Sequence, residues 1–85
     1  MLKVLLIDDE APARNRLRRM LAEIKEVQVV GDAGTGQEAL RLIPLKLPDV
    51  LLLDISMPGL SGMKLAQILC EQESAPAIIF CTAWS

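Results

Sequence analysis

The chain has 85 residues, which is room for one domain and too little for two. Hydrophobic residues make up 52% and charged ones 24%, with a mean hydropathy of +0.37, and that balance excludes a disordered tail. Nine Lys and Arg stand against eleven Asp and Glu for a net charge of -2, the wrong sign for a domain that grips nucleic acid by itself. Phe80 and Trp84 are the only aromatic residues, too few for a base-stacking platform.

Cys70 and Cys81, with no His in the chain, make neither a disulfide scaffold nor a zinc knuckle, so a reducing cytoplasm is the expected setting and both thiols are expected to pack as small hydrophobes. The apolar run Met1 to Ile7 is too short for a signal-peptide core or a membrane span, so a soluble protein with no membrane partner is expected.

In chain order, Val4 to Ile7 is an unbroken aliphatic run ended by Asp8, as expected of a strand buried on both faces. Ala13, Leu17, Met20, Leu21 and Ile24 recur at helical spacing, with Pro12 in the first turn and acids upstream, and predict a helix over 11–24. Val27 to Val30 alternates in part and stops at Gly31, which suits an edge strand. Thr35 and Glu38 fit a capping box for a second helix of about two turns that Pro44 stops. Val50 to Leu53 predicts a third strand. After the loop-forming run Pro58 to Gly62, residues Met63, Ala66, Leu69 and Cys70 place the buried face of a third helix. Ala77 to Phe80 closes the series as a fourth strand.

Strands alternating strictly with helices imply right-handed crossovers and a parallel sheet covered on both faces. Ligands of such sheets sit at the carboxyl ends of the strands, where strand order reverses. Asp8, Asp9 and Glu10 follow the first strand, Asp54 ends the third, and Thr82 and Ala83 follow the fourth. Taken singly, acids before a helix favour its dipole and an Asp after a strand suits a turn. Together they form a carboxylate cluster whose mutual repulsion calls for a counter-ion, and without His or thiolate nearby the hard oxygen donors point to Mg²⁺ or a similar cation such as Mn²⁺. Carboxylate, Mg²⁺ and hydroxyl suit phosphoryl transfer onto Asp.

Three segments, Leu6-Ile7-Asp8-Asp9-Glu10, Leu52-Leu53-Asp54-Ile55-Ser56-Met57-Pro58-Gly59 and Ile78-Ile79-Phe80-Cys81-Thr82-Ala83, closely resemble the receiver domain of two-component response regulators. The run Asp8 to Arg14 with Arg16 and Leu17, and the last of the three segments, look most like receivers that precede a LytTR DNA-binding domain, the alginate-regulator-like group. The resemblance implies an α/β, flavodoxin-like (CheY-like) doubly wound sheet with strand order 2-1-3-4. It implies that Asp54 accepts a phosphoryl group from a sensor histidine kinase, with Mg²⁺ held by Asp9, Asp54 and the backbone carbonyl of Ser56, and by Asp8 through water. Thr82 would be the switch residue on the phosphoryl oxygen, with Ala83 beside it. Ser56 and Trp84 would tune hydrolysis, bulky Trp84 by shielding the acyl phosphate. Ala11, Pro12, Asn15 and Arg18 would meet the kinase. Such a domain is a phosphoacceptor that assists its own phosphorylation and dephosphorylation rather than an enzyme.

The resemblance covers all 85 residues and about two-thirds of a receiver. A further helix, a fifth strand with an essential Lys and a last helix are expected to be missing, since Lys3, Lys25, Lys46 and Lys64 do not fit that Lys; no output domain is expected in the chain, and DNA would be met only through one. The fourth strand would then be an uncharged sheet edge inviting dimerisation or a domain swap.

Two rivals belong to other classes. Gly34-Thr35-Gly36-Gln37-Glu38-Ala39 fits a dinucleotide fingerprint with Asp54 as the ribose acid, although the glycines are expected to lag the strand and the helix to be short. A non-phosphorylated pseudo-receiver that only binds partners would suit the missing Lys. Arg14, Arg16, Arg18 and Arg19 are expected to form a solvated basic face on the first helix.

Overall fold

Four short apolar segments pair side by side in the computed structural model, which describes residues 1–54, 62–71 and 75–81. In order along the chain they are β1 (Leu2–Ile7), α1 (Ala11–Leu21), β2 (Val27–Ala33), α2 (Gly36–Lys46), β3 (Val50–Asp54), α3 (Gly62–Cys70) and β4 (Ala77–Cys81). All strand pairs are parallel and the sheet order is β2-β1-β3-β4, as expected.

The strands form because unbroken aliphatic runs find apolar cover on both faces. Val4, Leu5, Leu6 and Ile7 of β1 are each 3% exposed or less. Since successive strand residues point to opposite faces, Leu5 and Ile7 enter one core with Leu51, Leu53, Ala33, Ala39, Leu65 and Leu69 beneath α2 and α3. Val4 and Leu6 point to the other face, where the crossover back to β2 places α1. A register shift in the β1–β2 ladder falls between Val4 and Leu5, which pair with Val29 and Gly31 and leave Val30 as the extra residue. A Cβ at Gly31 would lie 3.3 Å from Leu5 Cδ1, so glycine lets the ladder close there.

The starts of three strands are tied by Asp49. Its carboxylate accepts from the Lys3 amide at 2.8 Å, its amide donates to the Lys3 carbonyl at 2.8 Å, and its carbonyl accepts from Ala77 at 3.0 Å.

Several boundaries differ from the sequence expectations. β2 runs past Gly31 to Ala33, because Asp32 and Ala33 still pair with Leu6 and Ile7. α1 stops at Leu21, so Ile24 falls in the following turn and is 45% exposed; Met20, also expected in the core, is 60% exposed because no described element covers that side of α1. α2 starts on the expected cap, the Thr35 hydroxyl accepting from the Glu38 amide at 3.1 Å, but continues through Pro44. Proline removes its own amide donor and its ring crowds the carbonyl four residues back, a cost tolerated in the last turn, and the helix ends instead at Leu47, whose φ of 49° is left-handed and whose amide closes on Ile43 at 2.9 Å.

α3 is rotated from its expected phase. Leu65 and Leu69, four residues apart, are both fully buried, Ala66 is half-buried, and Cys70 is exposed rather than packed. The side chains of Met63 and Cys81 lie outside the described residues. β4 is the outer strand of the described sheet, and Ile79 and Phe80 are 52% and 40% exposed.

Candidate functional site

Asp8 is the first residue after β1 and Asp54 the last of β3, and these strands are hydrogen-bonded neighbours. The end of each strand lifts its acid clear of the core, so Asp8, Asp9 and Asp54 bring one carboxylate oxygen each to within 4.8 Å of one another. β1 lies between β2 and β3, so its connection leaves toward β2 while the chain later returns to β3. The cluster therefore stands at the reversal of strand order.

Asp8 is held on two sides. Its amide donates to the Ala33 carbonyl at 3.1 Å, and its Oδ1 accepts from the Glu10 amide at 2.9 Å. Partial burial pushes the Asp8 carboxyl above the usual carboxylate range; the Glu10 amide opposes the shift, while the charges of Asp54, Asp9 and Glu10 add to it. Asp9 is exposed, and Asp54 is half-buried.

The donor set fits a hard divalent cation. Opposite oxygen ligands on Mg²⁺ are about 4.2 Å apart, close to the span of this cluster, and three carboxylates with no softer donor among them match that ion's chemistry.

The raised Asp8 carboxyl gives a pH signature. Above its ordinary value the unfolded chain releases this proton first, so Asp8 subtracts stability as the pH climbs through its folded value, and the loss is constant beyond it. Without divalent cation, the melting temperature of the parent chain should fall relative to that of Asp8→Asn as the pH rises above about 4, a gap that circular dichroism at several pH values would measure. Parallel profiles would show that Asp8 carries no such penalty.

The other expected site residues divide. Ala11, Pro12, Asn15 and Arg18 are exposed along α1, just beyond the acids. Ser56, Thr82, Ala83 and Trp84 lie outside the described residues. Of the four arginines expected on a solvated face, Arg14 departs: its side chain is only 20% exposed, and Nη1 donates to the Asp8 carbonyl at 2.6 Å. Its Nε stands 3.7 Å from Asp32 Oδ2, which also pairs with Arg18 Nη2 at 3.2 Å. Asp32 was not expected near the site. The available signal was an acid one residue before the end of a strand parallel to β1.

The glycine fingerprint sits closer to its pattern than expected. Gly34 follows β2 directly and α2 has 11 residues, so neither a lagging loop nor a short helix argues against it. The helix start is engaged from within, however: Thr35 takes the Glu38 amide, and the Glu38 carboxylate accepts from Gly34 at 3.4 Å.

Comparison with known proteins supplies the family. Residues 4–85 match the family model described as the response regulator receiver domain. The positive alginate biosynthesis regulatory protein of Pseudomonas aeruginosa is 49% identical over 83 residues, covering 96% of this chain and 34% of that protein. The sensory transduction protein LytT of Bacillus cereus is 40% identical over 84 residues, covering 99% of this chain and 34% of its own length. The chain thus spans about a third of the length of these curated relatives. Among solved structures, the response regulator domain of Thermotoga maritima CheB superposes with a TM-score of 0.86 at 31% identity, over 96% of this chain and 60% of that one. The response regulatory domain of mrkE from Klebsiella pneumoniae gives a TM-score of 0.87 at 31% identity, over 99% and 69%. Among the described residues no helix is long and apolar enough to cross a membrane. With its strand order, its acids at the ends of β1 and β3 and a family match over nearly its whole length, the chain belongs to the response regulator receiver domain family.

Proposed function

We propose that this chain is the phosphoacceptor part of a two-component response regulator, with Asp54 accepting a phosphoryl group from a sensor histidine kinase. The observation that carries the reading is the meeting of Asp8, Asp9 and Asp54 within 4.8 Å at the ends of two neighbouring parallel strands, in a chain of the receiver family. Asp9, Asp54 and the Ser56 carbonyl would hold Mg²⁺ or Mn²⁺ directly and Asp8 through water; bound there, the cation offsets charge on the phosphoryl oxygens.

The covalent work belongs to the protein. An Asp54 carboxylate oxygen forms the new O–P bond as the bond from phosphorus to the donor, the histidine nitrogen of the kinase or the acyl oxygen of a small phosphodonor, breaks and leaves with its electron pair. The Thr82 hydroxyl donates to a phosphoryl oxygen, with Ala83 beside it, and Trp84 and Ser56 set the access of water. The chain assists this transfer on itself and turns over no separate substrate. Exposed Ala11, Pro12, Asn15 and Arg18, next to the acids, are the proposed kinase contact.

On this reading residues 1–85 are the N-terminal two-thirds of a receiver, in keeping with the 60% and 69% of the two solved domains that they cover. Transcriptional output in the cytoplasm, through a LytTR DNA-binding domain outside this chain, accords with the names of the relatives, one of which is a transcriptional regulatory protein. A second copy is the proposed partner of the β4 edge, an uncharged strand whose Ile79 and Phe80 are open to solvent.

Incubation with Mg²⁺ and acetyl phosphate, followed by peptide mass spectrometry, should place one phosphoryl adduct on Asp54. No adduct from acetyl phosphate or from a phosphorylated kinase would instead favour a non-phosphorylated interaction module. A thermal shift with NAD and none with Mg²⁺ plus beryllofluoride would favour the dinucleotide reading.

A further inference from the structure

The three acids supply the donors of the site but not the means of fixing them, and the sequence alone put no residue in that role. Asp8 and Asp9 share a peptide group. Its carbonyl, that of Asp8, accepts from Arg14 Nη1 at 2.6 Å, so the orientation of this peptide, and with it the direction in which Asp9 leaves β1, is set by a guanidinium six residues away. That guanidinium is itself held. Nε is buried and lies 3.7 Å from Asp32 Oδ2 without making a hydrogen bond, while Arg18 approaches the same oxygen at 3.2 Å. A Cβ at Gly34 would stand 3.4 Å from Nη1, so the group lies across the exit of β2. Arg14 thus spans the carboxyl ends of β1 and β2 from its place on α1.

We infer that Arg14 is a positioning residue for the cation site, holding the Asp8–Asp9 peptide against β2 so that both carboxylates are aimed before any ion arrives. The inference rests on the cation-binding part of the proposed function. A rigid fork with several donors can satisfy a carbonyl and face a carboxylate at once, whereas an ammonium is a compact charge that cannot reproduce that geometry. Arg18 shares Asp32 but does not reach Asp8, which separates loss of the ion pair from loss of the clamp.

Titration of the full 85-residue chain with Mn²⁺, read by calorimetry or by the spin-resonance signal of free ion, tests this. Arg14→Met should weaken Mn²⁺ binding by about tenfold or more, the range seen when partners behind metal ligands are removed. Arg14→Lys, which keeps charge and stem, should recover only part of the loss. Arg18→Met, which removes one arm of the same ion pair, should bind Mn²⁺ like the parent chain. Far-ultraviolet circular dichroism reports whether each variant is folded, and Arg14→Lys carries the test if Arg14→Met is not. Equal affinity of the parent chain and a folded Arg14 variant would overturn the inference and leave the cation site standing. An equal loss in Arg18→Met would also overturn it, by assigning the effect to the ion pair. A parent chain that binds no Mn²⁺ would remove the cation site itself, and the inference with it.

Discussion

Asp9→Asn should weaken Mg²⁺ binding by about 100-fold while raising the melting temperature of the cation-free chain, two effects of opposite sign from one substitution. The first follows because a proposed carboxylate ligand is replaced by a neutral amide in a cluster whose members lie within 4.8 Å of one another. The second follows because those carboxylates repel when nothing sits between them. Two unit charges about 5 Å apart repel by roughly 1 kcal/mol across water and by more where protein displaces it. In a domain of this size 1 kcal/mol moves the melting temperature by about 4 °C or more. Calorimetric titration and thermal melts in chelator measure the two halves, and Glu23→Gln, an exposed acid beyond the end of α1, should leave both alone. Asp9 variants that melt lower without cation and bind Mg²⁺ like the parent would mean that the cluster is a set of turn and cap acids.

The acids were legible in the sequence because each follows a distinctive aliphatic run, and a parallel sheet aligns the ends of its strands. Asp8 and Asp54 meet across the β1–β3 pairing that the family resemblance implies. Arg14 was not legible. Helical periodicity assigns it to the same charged stripe as Arg18, and only the path of the chain past the end of β2 turns its guanidinium inward to Asp8. Pro44 misled for a local reason: its ring disfavours a helix in general, yet one missing amide is tolerated near a helix end where the left-handed Leu47 makes the actual stop. The phase of α3 was misread because Met63, Ala66, Leu69 and Cys70 and the pair Leu65 and Leu69 both fit helical spacing. Burial chose the pair, which two leucines can fill more completely than alanine and cysteine. Asp49 escaped notice because its work, tying the starts of β1, β3 and β4, joins residues 46 and 28 positions away in the chain, Lys3 and Ala77.

With the proposed pairing of two copies through β4, Ile79→Lys should keep the chain monomeric at little cost in fold stability. β4 pairs with β3 on one side, and among the described residues no strand lies on its other side, so its outward amides and carbonyls form a template for another strand. Nothing in Ala77 to Cys81 is charged, and Ile79 and Phe80 already expose 52% and 40% of their surface. Such an edge gains both backbone hydrogen bonds and apolar burial by meeting its own copy. A lysine at position 79 would place a cation at the centre of that contact, and two copies would set like charges against each other, the means by which sheet proteins keep edges apart. Because more than half of Ile79 is in water, the substitution gives up little core, so the melting temperature of the isolated chain should stay within a few degrees of the parent's. Light scattering at high micromolar concentration should give a dimer or larger species for the parent and a monomer for Ile79→Lys. A parent chain that is monomeric there would mean that its open strand edge does not suffice for association. Association surviving in both Ile79→Lys and Phe80→Lys would move the contact to another surface, where the exposed Leu45 and Leu47 beside Pro44 are the next apolar candidates.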